Sequence, residues 1–304
     1  MKKSKKLAIA LPAILLLAAF WLTRPLALSS SDLPEHTPDI VAGERMFWVG
    51  GCASCHASLV DGRRARGDDK LRLGGGLELD TSFGLFRVPN ISPHYEDGIG
   101  SWSMLEFVNA MQRGVAPDGR HYYPSFPYTS YALMPIEDVM DLKAYIDTLP
   151  AVAGRIEDHA LSFPYSVRRS IGVWKRLYLD DRPVVDVDTG DESLLLGRYL
   201  VEGPGHCGEC HTPRDRLGGL IPGQWLAGAP NPDGEGRVPN ITPAASEIGG
   251  WSVRNIANYL KSGFTPDFDT VGGSMVAVQE NLAMLGDADR EAIAAYLKAI
   301  PPVE

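Results

Sequence analysis

The chain has 304 residues, of which 44% are hydrophobic and 22% charged, with a formal net charge of −9. That length accommodates two ordinary domains, and that composition excludes a disordered polymer. The acidic balance excludes a nucleic-acid surface, which needs clustered cations, but it suits steering toward a basic protein partner.

In chain order, the first feature is a targeting segment spanning residues 1–30. Lys2, Lys3, Lys5 and Lys6 precede an apolar run from Leu7 to Leu22, which stops at Thr23-Arg24-Pro25. The chain is therefore expected to be exported. The run is long for a signal h-region and short for a spanning helix, and no small-x-small cleavage site follows it. An uncleaved signal-anchor, holding the protein on the periplasmic side of the inner membrane, is the favoured reading. A removed signal peptide, leaving a soluble periplasmic protein, is the alternative.

A first module is expected over residues 31–152. It opens with a helix through Gly43-Glu44-Arg45-Met46-Phe47, which leads into Cys52-Ala-Ser-Cys55-His56. Two thiols at that spacing reach the two vinyl groups of one porphyrin while the next residue supplies an imidazole, so the string predicts covalent attachment of haem c, with His56 on the iron. Next comes Arg87-Val88-Pro89-Asn90-Ile91-Ser92-Pro93. A helix follows from Ser101 or Ser103 to Gly114, with Phe107, Val108 and Met111 on its apolar side. A closing helix places Val139, Leu142, Tyr145, Ile146 and Leu149 on one face and stops at Pro150.

Residues 153–190 are expected to connect two modules. Arg168, Arg169, Trp174, Lys175, Arg176 and Tyr178 form a basic and aromatic cluster there, read either as a strap across the domain interface or as a docking surface for an enzyme or for lipid head groups.

The second module, residues 191–304, repeats the first. Its opening helix runs through Gly197-Arg198-Tyr199-Leu200-Val201 into Cys207-Gly-Glu-Cys210-His211; Arg237-Val238-Pro239-Asn240-Ile241-Thr242-Pro243 follows, then a helix from Ser252 to Gly263, and a closing helix that places Ile293, Tyr296, Leu297 and Ile300 on one face. All four cysteines are spent on the two motifs, so two haems per chain are expected. A single four-thiolate zinc site leaves the histidine after each pair unexplained, and a thioredoxin-like dithiol lacks its βαβ setting. Pro89 and Pro239 are candidates to accept the Nδ1–H of the proximal histidines, and Arg87 and Arg237 to pair with haem propionates. Strand patterns are nearly absent. The predicted fold is all-α, with two tandem class I cytochrome c-like domains behind an N-terminal membrane anchor.

Over residues 40–304 the chain resembles the cytochrome c subunits of bacterial periplasmic dehydrogenases, such as those serving alcohol dehydrogenase and molybdenum hydroxylases. The resemblance is carried by both C-x-x-C-H motifs, both Val-Pro-Asn-Ile-(Ser/Thr)-Pro segments, the stretch from His121 to Tyr128, and Gly272-Gly273-Ser274-Met275. It implies an electron carrier that accepts from a dehydrogenase or other redox partner and delivers to the respiratory chain, with no small-molecule substrate of its own. Two haems stand where several members of the family have three.

The family pattern places the sixth iron ligand of the second haem at Met275, with Met284 as the alternative. The repeat carries Met275 back to the Ser125-Phe126 region, where this chain has no methionine, so the first haem needs another ligand. Met134, in the loop before the closing helix, is the candidate; Met140 and His121 are the alternatives. With both irons closed the protein is a wire. An open first haem admits a di-haem peroxidase-like enzyme or a redox or gas sensor instead, whereas a cysteine-ligated dehydrogenase is excluded because no cysteine remains.

Overall fold

A computed structural model describes the chain except residues 1–11, 13, 16, 189, 232, 233, 235 and 247. Part of the expected anchor, residues 1–11, 13 and 16, lies outside the described residues. Residues 17–22 of the apolar run are helical, and among the described residues no helix is long and apolar enough to cross a membrane.

Two helical modules follow. In the first, α1 (Ile40–Val49) starts where the Asp39 side chain accepts from the Val41 and Ala42 amides, and α2 (Cys52–His56) is the single turn carrying the attachment motif. Helix α3 (Met104–Arg113) has the caps its sequence predicts: Ser103 and Glu106 form a reciprocal capping box, and Gly114 ends the helix at φ 58°. The short α4 (Tyr128–Tyr131) leads into the closing helix α5 (Ile136–Ile146), whose Val139, Leu142 and Ile146 are buried.

Opening and closing helices cross at contact distance, which explains a glycine. A Cβ on Gly43 would lie 2.1 Å from the Asp141 carbonyl oxygen. The second module repeats the crossing with α7 (Glu192–Glu202) and α11 (Asp287–Ala299), where a Cβ on Gly197 would lie 2.0 Å from the Ala292 oxygen. Between them come α8 (Gly208–His211), α9 (Val253–Ser262), capped by Ser252 and by Gly263 at φ 76°, and α10 (Met275–Leu282).

The all-α expectation is corrected to a mostly helical fold with small sheets. Strands β1 (Glu78–Thr81) and β2 (Gly84–Arg87) form an antiparallel hairpin, and β3 (Ala160–Leu161) adds to its edge; β4 (Ala229–Pro230) pairs with β5 (Arg237–Val238). Strands of two to four residues are too short for alternation to register in a sequence. Gly84, at φ 120°, allows the third strand to approach, since a Cβ there would sit 2.5 Å from the Ala160 oxygen.

The segment between the modules is a strap fastened to both. On it, α6 (Ile171–Tyr178) buries Lys175, whose Nζ donates to the carbonyls of Arg113 and Gly114 at 2.7 and 2.6 Å, at the C-terminal end of α3. Trp174 Nε1 and the Tyr178 hydroxyl donate to the Leu217 carbonyl and the Asp215 carboxylate of the second module. The amides of Val184 and Val185 donate to buried Glu202.

Candidate functional site

Each attachment motif sits at the end of an opening helix and presents two cysteines and a histidine from about one helical turn. Cys55 and Cys210 are exposed, Cys52, Cys207, His56 and His211 are half-buried, and none of the four cysteines is in a disulfide. Burial pushes the Cys52 and Cys207 thiols up to about 12. That is the opposite of the depressed thiol a dithiol oxidoreductase needs. Among the described residues no three metal-binding side chains cluster, so the two pairs do not form a shared zinc site.

The histidines are held in the same way in both modules. His56 Nδ1 lies 2.9 Å from the Pro89 carbonyl oxygen, and His211 Nδ1 lies 2.8 Å from that of Pro239. A carbonyl only accepts, so Nδ1 carries the proton and Nε2 keeps its lone pair. Among the described residues no hydrogen-bond partner takes either Nε2. Burial also lowers both imidazoles, favouring the neutral form an iron requires. The backbone end of each histidine is clamped too: the amides of Gly75 and Gly228 donate to the His56 and His211 carbonyls at 2.8 and 2.7 Å. Both glycines have positive φ, 70° and 81°, and a side chain at either would meet the backbone of the Val-Pro segment. The donor set, the free Nε2 and this close cradle fit a covalently attached haem.

Asparagine in the repeated Val-Pro-Asn segment does work that the sequence reading left unassigned. Asn90 Nδ2 donates to the carbonyls of Val152 and Gly154, and Asn240 Nδ2 to that of Val303; each side-chain oxygen accepts from the amide two residues on. The segment supplying the proline carbonyl is thereby tied to the chain leaving the closing helix. Recurrence in both halves was the available signal. Arg87 pairs with Glu78 at 2.9 Å and donates to the Asp158 carbonyl, because the hairpin places those acceptors beside it. Arg237 is exposed on β5. Trp102 and Trp251 are partly buried against the core.

Met134 is buried at 4% exposure, and its carbonyl accepts from Gln112 Nε2. Met275 is half-buried at the start of α10 and packs against the core, while Met284 is 58% exposed. Met140 is buried within α5. His121 turns to the N-terminal segment, its Nε2 lying 2.9 Å from the Thr23 carbonyl oxygen. The closing-helix caps set Met134, just before Pro135, opposite Leu285, just before Gly286; Phe126 is opposite Met275. Each module thus has a methionine at one of two equivalent positions, and the choice is reversed between them.

Each motif contacts a helix of the other module, reciprocally. Ser54, inside the first motif, donates to the Ala277 carbonyl at 3.2 Å and accepts from Asn281 Nδ2 at 2.7 Å, both on α10 of the second module. Glu209, at the same place in the second motif, accepts from Thr129 and Ser130 on α4 of the first, at 3.2 and 3.3 Å. His206 Nε2 meets the Gly50 carbonyl at 3.2 Å, and Arg45 forms two hydrogen bonds with Asp289. A pseudo-twofold interface therefore presses each attachment turn against the other module's methionine-side helix.

The cytochrome c family model matches residues 40–150. A dihaem c-type cytochrome of Cereibacter sphaeroides is 49% identical over the full length of both chains. The fructose dehydrogenase cytochrome subunit of Gluconobacter japonicus is 37% identical over 97% of this chain and 59% of its own, and the cytochrome c subunit of the quinone alcohol dehydrogenase of Gluconobacter oxydans is 32% identical over 87% and 55%. The chain thus spans little more than half the length of these two dehydrogenase subunits.

Proposed function

Because the chain belongs to the family of dihaem c-type cytochromes, and so carries two covalently bound haems and transfers electrons, we propose that it takes electrons from a periplasmic dehydrogenase and passes them to the respiratory chain at the periplasmic face of the inner membrane. The dehydrogenase partner follows from the relatives that serve fructose and alcohol dehydrogenases. The membrane location follows from the lysines and apolar run at the N-terminus. Delivery to the respiratory chain is supported by the relative that serves a quinone alcohol dehydrogenase.

The haems supply one-electron exchange when bound. The chain's residues attach and orient them. Cys52, Cys55, Cys207 and Cys210 hold the porphyrins, and His56 and His211 are the proximal ligands, their tautomer fixed by the Pro89 and Pro239 carbonyls. We assign Met134 and Met275 as the residues that would supply the thioether ligands, on the strength of the reversed methionine positions. Closed irons of this kind exchange electrons without admitting substrate. The reciprocal contacts of Ser54 and Glu209 carry the wire reading, since they draw the two attachment turns to one interface.

A carbon monoxide titration of the reduced holoprotein tests the ligand assignment. We expect two haems per chain by pyridine haemochrome and no spectral shift. Met134→Leu and Met275→Leu should each open one haem of the two to carbon monoxide, at a folding cost below about 1.5 kcal/mol because the swap nearly conserves volume. A wild-type shift, or a Met134→Leu protein that stays closed, rejects the assignment for the first haem.

A further inference from the structure

The wire leaves one cavity unused. It has a volume of about 300 Å³ and lies where the N-terminal run meets the body of the protein, lined by Arg24, Leu26, Arg113, His121, Lys175 and Arg176 among others. In a chain of net charge −9, no carboxylate among the described residues forms an ion pair with any of these five basic side chains. Arg113 helps to lower the Asp32 carboxyl, but that carboxylate is held chiefly by Ser29.

Two of these groups are buried without an anion beside them. His121 is 3% exposed; its Nε2 must donate to the Thr23 carbonyl, so Nδ1 is an acceptor, and it is buried with no hydrogen-bond partner. Lys175 is 8% exposed and reaches only carbonyl oxygens and the face of Tyr128. Burial draws its ammonium down to about 7, the mark of a cation lacking an anion.

The surroundings identify the ligand's source. Arg176 donates to the carbonyls of Trp21 and Leu22, and Arg169 to that of Phe20 and to the Thr23 hydroxyl, closing the C-terminal end of the apolar helix. Arg169, Arg176 and Arg24 stack on Phe20 and Trp21, and both rings are largely exposed. Exposed aromatics interleaved with arginines at the end of an apolar segment are the pattern of a bilayer interface.

We propose that this cavity binds the head group of phosphatidylglycerol, with Arg24, Arg113 and Arg176 on the phosphodiester and Leu26 beside the start of the lipid tail. A phosphodiester supplies the missing anion, and the neutral glycerol leaves that charge uncancelled where a choline head group would cancel it. The proposal rests on the membrane-face part of the reading above.

The test uses the full-length holoprotein in non-ionic detergent, with bound lipid counted by native mass spectrometry. Phosphatidylglycerol is expected at one per chain, held at least tenfold more tightly than phosphatidylcholine of the same chain length, and not displaced by equimolar inorganic phosphate. The double variant Arg24→Gln/Arg113→Gln is expected to weaken retention about tenfold while keeping the haem spectrum and thermal midpoint. Equal retention of the two lipids, or unchanged retention in a folded double variant, overturns the proposal. Displacement by phosphate makes the cavity a site for free anions and overturns the lipid source. Fractionation of cells tests the anchor separately: a soluble chain that still selects phosphatidylglycerol loses the anchor and keeps the pocket, and a membrane-bound chain without selectivity does the reverse.

Discussion

Beside the first cysteine of each motif, the two modules join a tyrosine, a tryptophan and a glutamate, but they draw these from different places in the chain. In module 1, Glu44 and Trp48 are one turn apart on α1; Trp48 Nε1 reaches Glu44 at 3.4 Å, and the same carboxylate helps burial to raise the Tyr145 phenol. In module 2 the position of Trp48 is taken by Glu202, and the tryptophan comes from a loop: Trp225 Nε1 donates to the Tyr296 hydroxyl at 3.2 Å, which donates to Glu202 at 2.5 Å. Trp225 packs on Gly208, where a Cβ would lie 2.2 Å from its ring, whereas module 1 has Ala53. The indole N–H finds a partner in both modules, but Glu44 is exposed and Glu202 is 2% exposed. The same local task therefore places a buried titratable charge beside one haem only. Duplicated modules diverge in electrostatics while keeping their packing.

The packing half of that comparison breaks most visibly at the helix crossings. Gly43→Ala and Gly197→Ala each drive a methyl into a facing carbonyl oxygen, so both should destabilise their module by about 3 kcal/mol. Thermal unfolding followed by haem absorbance measures this. Similar losses would establish that the crossings are equivalent. A loss confined to one variant would show that the other crossing can slide.

The electrostatic half is sharpened by pH. Burial, the leading cause, raises the Glu202 carboxyl above its ordinary value, while the Tyr296, Val184 and Val185 bonds act the other way. A raised folded-state value means that the folded protein holds this proton more tightly than the unfolded chain does. The contribution is fully present below the unfolded value of about 4.3 and is lost as pH rises through the folded one, at no more than about 1.4 kcal/mol per pH unit. Glu202→Gln should flatten that segment of the stability profile in urea melts and raise the potential of the second haem, because a buried negative charge favours the oxidised iron. A matching change in Glu44→Gln would refute the distinction between the modules.

The sequence made legible what lies close together along the chain. Cysteines and histidine are adjacent, Ser103 and Gly114 announce their helix, and the repeated prolines supply the carbonyls that accept the histidines' Nδ1–H, as their recurrence suggests. What depends on docking was hidden. Nothing in the spacing of Ser54 or Glu209 announces that each contacts the other module, because those contacts span 223 and 80 residues. The partners of Arg87 were hidden for a related reason: its acceptors are brought by a hairpin and a strap too short or irregular to carry a periodic signal. The Tyr-Trp-Glu groups escaped as well, since aligning the repeats pairs Trp48 with Glu202 and suggests no common function.

The smallest effect lies in the contact joining the modules. Arg45 Nε and Nη2 hold Asp289 in a bidentate pair at 2.9 and 2.7 Å, and the Asp289 bond is the first cause of a raised Arg45. The Arg45 side chain is nevertheless 37% exposed, so solvent screens the attraction. A double-mutant cycle with Arg45→Gln and Asp289→Asn should give a coupling of about 0.5 to 1 kcal/mol that falls as ionic strength rises. Ser54 and Glu209 make their cross-module bonds through other groups, so the interface should survive the loss of this pair, and electron exchange between the haems should change little. A coupling above about 2 kcal/mol, or a large fall in the exchange rate of a fully haem-loaded Arg45→Gln protein, would mean that the ion pair, and not the reciprocal contacts at the motifs, holds the two modules in register.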